Sequence, residues 1–186
     1  MPASRNERSR RAILDAAMSM ICELGYDKIS IEAIARQAGV SKQTIYRWWP
    51  SKGAVILEAA TESLGTVVAI PDTGDIVADI RTQLTAILDL ITNTGFGPAY
   101  RSLIAAGQSD PELLRALFDR IVAPNIEDFG ARTAAARQRG EMRADADWQT
   151  LRDLLYGVVE YRLFHSMPLE PEYLDAVLEI VFHGVR

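Results

Sequence analysis

Apolar residues recur every three to four positions along nearly the whole chain, and alternating strand-like runs are missing. This period is that of an amphipathic helix, whose apolar stripe faces a core. Capping and turn residues such as Gly25, Ser30, Gly39 and Gly140 interrupt the pattern at intervals. The pattern therefore predicts an all-α chain of roughly nine or ten helices.

Proline and helix-capping residues mark where the predicted helices begin and end. Pro50 should end the third helix, since proline disfavours helical backbone at the residue before it. Pro124 should kink or split a long helix that Asp110-Pro111 opens, and 71–74 is the clearest linker. In chain order the predicted helices cover about 5–24, 30–39, 41–50, 51–68, 75–94, 98–106, 110–139, 147–166 and 171–183.

Composition excludes several classes of protein. An apolar fraction of 48% allows a sizeable core, and apolar runs of about four residues are far shorter than the roughly 20 that a membrane helix needs. We expect no signal peptide. The single cysteine, Cys22, is expected to be a buried structural thiol and fits a reducing cytoplasm. With only two histidines, we expect no metal site and no cofactor.

The net charge of −5 is unevenly distributed. Residues 1–53 carry nine Lys or Arg against five Asp or Glu, whereas 54–186 carry eleven against twenty. The two parts have net charges of +4 and −9, which sum to −5. This asymmetry predicts a basic part that meets a polyanion and an acidic part that does not.

The segment 30–52 has the spacing of a helix-turn-helix. Two short predicted helices meet at Gly39, with the small Ala35 where they cross and the apolar Ile34 and Ile45 where they pack. Any helical hairpin with a glycine turn would share these features. The polar residues of the helix after Gly39 separate the two interpretations.

That helix presents a polar face without an acidic residue. With Ile45 inward, steps of about 100° per residue place Gln43 and Arg47 outward, with Thr44 and Tyr46 on the flanks. Gln and Arg side chains can pair with adenine and guanine, and a Thr methyl can contact thymine. The pattern favours a helix that reads the major groove over a merely solvated face.

Residues 7 to about 67 resemble the DNA-binding domain of the tetracycline-repressor (TetR) family of transcriptional regulators. The resemblance rests on separated motifs in the right order: Ile13-Leu14-Asp15-Ala16-Ala17, Gly25-Tyr26, Ile34-Ala35, Gly39-Val40-Ser41, Thr44-Ile45-Tyr46 and Ser51-Lys52. It implies that three helices form the DNA reader, that a fourth links it to the core, and that the protein dimerises.

The resemblance also implies roles for single residues. Lys42, Gln43 and Thr44 would face bases, whereas Tyr46, Lys52 and Ser30 would meet phosphates. Glu32 puts a carboxylate near the DNA path, and of Trp48 and Trp49 one ring should fill the core while the other leans on the DNA backbone. Arginines 5, 8, 10 and 11 could form an arm that reaches DNA, or a solvated terminus. The predicted DNA-binding residues are Ser30, Ser41, Lys42, Gln43, Thr44, Tyr46, Arg47, Trp48 and Lys52.

The two last helices are the candidate dimer interface. The penultimate helix is apolar on more than one face, similar proteins pair these helices with their symmetry mates, and Gly157 would permit close approach. Ordinary core within the chain is the alternative. The predicted interface residues are Leu151, Leu155, Val159, Val177, Leu178 and Val181.

A pocket for a small hydrophobic inducer should lie among the middle helices. Tyr100 and Arg101 are candidate polar contacts, although each lining residue taken singly is more often plain core. The predicted lining is Phe96, Tyr100, Arg101, Leu103, Phe118, Ile121 and Phe129.

The leading hypothesis divides the chain into a helix-turn-helix domain, 1–52 (about 1–67 with the linking helix), and a helical regulatory domain, 53–186. The protein would be a cytoplasmic, nucleoid-associated repressor that binds palindromic double-stranded operator DNA as a homodimer and is released by an inducer. A helical ligand-binding or scaffolding dimer whose helix-turn-helix no longer binds DNA is the alternative. A small helical enzyme has little support, because no phosphate loop or nucleophile motif is present.

Overall fold

A computed structural model describes residues 5–64 and 69–184. Within these ranges the chain forms ten α-helices and no β-strand. The helices are α1 Arg5–Leu24, α2 Ile31–Gln37, α3 Lys42–Tyr46, α4 Lys52–Leu64, α5 Ile76–Asn93, α6 Phe96–Gly107, α7 Pro111–Leu117, α8 Ala123–Arg139, α9 Trp148–Phe164 and α10 Pro171–His183. The all-α prediction is confirmed.

Most predicted boundaries agree with the observed ones, but α3 ends at Tyr46 rather than at Pro50. Gly140 ends α8 in the left-handed conformation, and a π-helical turn at Phe118–Val122 separates α7 from α8 near Pro124, as predicted. Helix α6 begins earlier than predicted, because Pro98 lies in its first turn, where its missing amide hydrogen costs nothing. The predicted last turn of the fourth helix, 65–68, lies outside the described residues.

The helices form two compact units. The first comprises 5–64 and 94–120, and the second comprises 69–93 and 121–184. Helix α4 lies against α1 and α6 and buries Val55 and Ile56 completely within the first unit, and the predicted division after residue 52, or about 67 with the linking helix, stays a prediction.

The core of the first unit supports the helix-turn-helix. Helix α2 packs against α1 and α3, and Ile34 and Ile45 are completely buried.

The prediction of a buried thiol at Cys22 is wrong. Cys22 is exposed, because the inward position of that turn belongs to Ile21. Its Sγ nevertheless lies close to Gly95, where an added Cβ would come within 2.6 Å of it.

The core of the second unit is built from α5, α8, α9 and α10 around Phe129. Three residues predicted for a dimer interface lie in the chain's own core instead: Leu155, Val159 and Leu178 are at most 6% exposed. Leu151, Val177 and Val181 are half-buried and pack against the same core, and their place in a dimer interface stays a prediction. Helix α9, which carries Leu151, Leu155 and Val159, packs against α8 and α10, and α10 carries Val177, Leu178 and Val181.

The predicted linker at 71–74 is anchored to this core. The Thr73 amide and hydroxyl donate to the Asp79 carboxylate at 2.6–3.3 Å, and Arg132 Nε donates to the Pro71 carbonyl at 3.2 Å. The segment is non-helical, as predicted, but buried charges of α5 and α8 hold it in place.

No helix in the described ranges is both long and apolar enough to cross a membrane. In the same ranges, no group of three or more His, Cys, Asp or Glu side chains could hold a metal ion.

Candidate nucleic-acid interface

The turn between α2 and α3 follows from one glycine. Gly39 adopts a φ of 67°, which only glycine reaches without strain from a Cβ. The Val40 amide donates to the Ala35 carbonyl at 2.9 Å and the Gly39 amide donates to the Arg36 carbonyl at 3.3 Å. These two bonds satisfy the last carbonyls of α2 in a Schellman arrangement, so the chain turns sharply into α3.

Helix α3 presents the face that the sequence predicts. Ser41 caps it, accepting from the Thr44 amide at 3.2 Å. Ile45 is completely buried, while Gln43, Tyr46 and Arg47 are exposed. The five residues of α3 include no carboxylate. An exposed face of this kind can donate to and accept from base edges and can contact phosphates.

Lys42, at the start of this face, is paired with a carboxylate on α2. Its Nζ lies 2.8 Å from Glu32 Oε1, and both side chains are more than half exposed. The hydrogen bond raises the pKa of Lys42 and lowers that of Glu32. An exposed pair of this kind adds little to stability, so Lys42 can change partner readily.

The two adjacent indoles divide as predicted. Trp49 is 3% exposed and belongs to the core, whereas Trp48 is half-buried and meets Trp49 edge to face, with ring centroids 5.4 Å apart. The Arg47 guanidinium lies 5.4 Å from the Trp48 ring centre. Whether Trp48 contacts a DNA backbone stays a prediction.

Three predicted phosphate or base contacts are also engaged within the protein. Lys52 Nζ donates to the carbonyls of Tyr26 and Ile29 at 2.9 and 3.1 Å, so it holds the loop before α2. Ser30 and Ser41 accept from backbone amides as helix caps. Lys52 retains one further N–H donor, and the DNA contacts of all three residues stay predictions.

Sequence reasoning missed a polar link behind α3. Trp49 Nε1 donates to Glu58 Oε2 at 2.8 Å, and Arg10 donates to Glu58 Oε1 through Nε at 3.0 Å and Nη2 at 2.6 Å. Hydrogen bonds to Glu62 and then Glu58 raise the pKa of Arg10. Arg10 is thus engaged in the first unit rather than extended as an arm. These partners are far apart in sequence, so no local pattern indicates them.

The predicted pocket residues fall in both compact units. Phe96, Tyr100 and Leu103 are buried in the first unit. In that unit Arg101 and Phe118 are exposed, whereas Ile121 and Phe129 belong to the second unit. That these seven residues line a single pocket stays a prediction.

The second unit contains a polar cluster that periodicity did not indicate. Gln83 is 1% exposed and accepts from the Tyr156 hydroxyl, and Asn125 Nδ2 lies 3.4 Å from that hydroxyl. Burial raises the pKa of Tyr156 to about 12. Arg152 lies 4.9 Å over the Tyr156 ring, and its buried Nε has no hydrogen-bond partner. An interior guanidinium with a vacant donor can bind a polar group of a small molecule.

Comparisons with known proteins match both parts of the chain. Residues 13–62 match the model of the bacterial regulatory proteins of the tetR family, and 70–181 match the tetracyclin repressor-like C-terminal domain. The HTH-type transcriptional regulator YdeS of Bacillus subtilis is 36% identical over 98% of this chain and 92% of its own length. The DNA-binding transcriptional repressor TetR of Mycobacteroides abscessus is 29% identical over 98% of this chain and 99% of its own length.

A solved structure agrees with these relatives. The crystal structure of the TetR family transcription regulator SCO0332 superposes with a TM-score of 0.78 at 35% identity, over 96% of this chain and 98% of that one. The exposed polar face of α3, the capped turn before it and these matches lead to one conclusion. The chain belongs to the TetR family of DNA-binding transcriptional regulators.

Proposed function

We propose that this regulator is a repressor that binds a palindromic operator as a homodimer and leaves it when a small ligand binds. Its place of action would be the bacterial nucleoid, in the cytoplasm. The single observation that carries the proposal is the exposed, carboxylate-free face of α3, with Gln43 and Arg47 outward and Ile45 fixed in the core. In a twofold dimer, two such helices would read half-sites about 34–36 Å apart in successive major grooves.

An exposed apolar surface on α9 and α10 supports the dimer. Scattered exposed apolar residues are ordinary, but Leu154, Tyr161 and Phe164 recur at helical spacing along one side of α9, as expected of an interaction surface. Nothing lies within 4 Å of a Cβ added to Gly157, so the chain's own packing does not require this glycine. A second copy of the same helix pair could approach closely there. The exposed large apolar residues of the two helices and the turn between them are Leu154, Tyr161, Phe164, Met167 and Ile180.

The interface proposal has a direct test. Leu154 is 52% exposed, so Leu154→Arg should leave the fold intact and yield a monomer in sedimentation at micromolar concentration. Gln149→Arg, at another exposed position of α9, is the matched control and should stay a dimer. A wild-type protein that sediments as a monomer would refute the dimer.

The polar cluster of the second unit supports a ligand with both apolar and polar parts. The aromatic rings of Phe129 and Tyr156 meet edge to face at 5.9 Å, and Gln83 and Arg152 carry polar atoms beside them. A ligand that binds one conformation of the dimer more tightly would shift the spacing of the two α3 helices by that differential affinity.

The decisive experiment for the function is genome-wide mapping of bound DNA, followed by titration of the recovered duplex at several salt concentrations. We expect nanomolar binding that weakens steeply with salt. A folded protein that shows no preference for any recovered duplex over unrelated DNA would favour the alternative, a ligand-binding or scaffolding dimer without DNA binding.

A further inference from the structure

The carboxylate of Glu58 hydrogen-bonds to two partners and so joins the segment after α3 to the rest of the first unit. Glu58, on α4, offers Oε2 to the indole N–H of Trp49 at 2.8 Å. Its Oε1 accepts two hydrogen bonds from Arg10 of α1, at 3.0 and 2.6 Å. One side chain thus connects the end of the reading helix to both α4 and α1.

Trp49 transmits this constraint to α3 through the backbone. Its amide donates to the Ile45 carbonyl at 3.0 Å, and the Trp48 amide donates to the same carbonyl at 2.9 Å. The indole is therefore attached to the last turn of α3 with no flexible residue between them. The hydrogen-bonded indole thus lies on the residue whose backbone closes the last turn of α3.

Packing alone leaves this helix short of directional contacts. Helix α3 has five residues, of which only Ile45 is buried, and apolar burial does not set an angle. An open groove of about 450 Å³, lined by Trp48, Trp49 and Glu58 among others, lies beside the indole. Apolar contacts hold the buried Trp49 ring without fixing its angle, whereas its hydrogen bond to a carboxylate is directional and stronger than a neutral one.

We propose that Glu58 is a positioning residue for DNA reading: it clamps Trp49 to Arg10 so that α3 meets the major groove at one fixed angle. This inference rests on the proposed binding of operator DNA. It predicts that Glu58 acts on the choice between operator and unrelated DNA more than on folding. A displacement of about 1 Å would misplace base contacts, while phosphate contacts tolerate it.

The test compares variants for their affinity for the mapped operator and for an unrelated duplex, with the folded fraction measured by circular dichroism. Glu58→Ala should lower operator affinity about tenfold or more and leave unrelated binding and its salt slope unchanged. Glu58→Gln should recover only part of the loss, because its single amide oxygen can still accept from the indole whereas its amide nitrogen cannot accept from Arg10. Trp49→Phe should resemble Glu58→Ala, and combining the two should add little further loss.

Glu62 supplies the matched control. It lies one turn later on α4 and also accepts from Arg10, but the indole of Trp49 donates to Glu58 instead. Glu62→Gln should keep wild-type preference for the operator. Equal losses in Glu62→Gln and Glu58→Ala would overturn the proposal, as would a folded Glu58→Ala protein with an unchanged preference.

The experiment also distinguishes a Glu58 variant that fails to fold from a wild-type protein that has no preference for the operator. If Glu58→Ala does not fold, Trp49→Phe decides: unchanged operator preference in that variant refutes the clamp, and a tenfold loss with an intact fold supports it. A wild-type protein without operator preference would refute the proposed function, and this is measured before any variant is compared.

Discussion

Each compact unit contains a short ion pair, and the two pairs are similar in length but differ in their exposure to solvent. Lys42 Nζ lies 2.8 Å from Glu32 Oε1 in the first unit, with both side chains more than half exposed. Arg132 Nη2 lies 2.6 Å from Asp79 Oδ2 in the second, with side-chain exposures of 4% and 1%. Water can replace either partner of the first pair, but it cannot reach the second.

The difference assigns different roles to the charges of the two units. The buried pair holds its own unit together, since it joins α5 to α8 and both of them to the anchored segment 71–74. The exposed pair contributes little to stability, which leaves its lysine available to an outside anion. A charge is thus structural where water is excluded and exchangeable where it is not.

Breaking the buried pair should give the largest effect. Arg132→Met leaves the Asp79 carboxylate buried without its cation, which typically costs about 3–5 kcal/mol. Urea unfolding at pH 7 measures the loss. Arg143→Met removes an equally short but exposed contact with Asp145 and should cause no measurable change. Similar midpoints for the two variants would show that burial does not distinguish the pairs.

Removing both members of the buried pair should restore part of the stability. In Asp79→Leu combined with Arg132→Met the buried carboxylate is removed with its cation. Glu141 and Asp72, which also pair with Arg132, keep Arg139 as a partner. Apolar side chains of similar size often replace a buried pair at little cost. The double variant should therefore unfold at higher urea than Arg132→Met alone. A double variant less stable than both single ones would indicate that the hydrogen bonds from Thr73, rather than the charge pair, dominate.

The next effect concerns DNA. Gln43 is exposed on α3, and Gln43→Ala should lose about 1–3 kcal/mol of discrimination at one base pair while binding to unrelated DNA stays constant. Competition between the operator and duplexes substituted at single positions measures it. Arg115→Ala, at an exposed position of α7, is the control in the same unit. A uniform loss at all positions would place Gln43 on phosphates instead of bases.

The sequence pattern predicted the helix ends, turns and exposed faces that depend on residues close together in the chain. The end of α1, the turn at Gly39, the outward face of α3 and the start of α10 all follow from apolar period and capping residues, and all are confirmed. These features depend on contacts within three or four residues of sequence, which periodicity describes directly.

Features set by distant residues escaped prediction. Both faces of α9 carry apolar residues, so the pattern alone could not show that Leu155 faces the chain's own core while Leu154 faces outward. The partners in the Arg132–Asp79 pair are 53 residues apart, and those in the Arg10–Glu58 pair 48 apart. Ion pairs between residues far apart in sequence produce no periodic pattern along the chain.

Acid should weaken the second unit through the same pair. Burial alone would raise the pKa of Asp79, but hydrogen bonds from Thr73 and Arg132 hold it below the usual value near 4. The stabilisation is therefore complete above about pH 5 and is lost as pH falls through the lowered pKa, by up to about 1.4 kcal/mol per pH unit for one proton. Urea midpoints between pH 3 and 7 measure the slope. The Asp79→Leu, Arg132→Met double variant should show a shallower slope, and an equal slope would assign the acid sensitivity to other carboxylates.

Removing the carboxylate of the exposed pair should give the smallest effect, and in the opposite direction. Glu32→Gln leaves Lys42 without its anionic partner and removes one negative charge from the surface proposed to meet DNA. Binding should therefore tighten by about two- to fivefold for operator and unrelated duplexes alike. The slope of log affinity against log salt should steepen by at most about one, because one more cation is free to displace counterions. Fluorescence anisotropy from 50 to 300 mM salt measures both quantities, with Glu112→Gln, an exposed carboxylate on α7, as the control. Weaker binding of Glu32→Gln would mean that the carboxylate orients Lys42 toward DNA rather than competing with it, and the exposed pair would then be structural like the buried one.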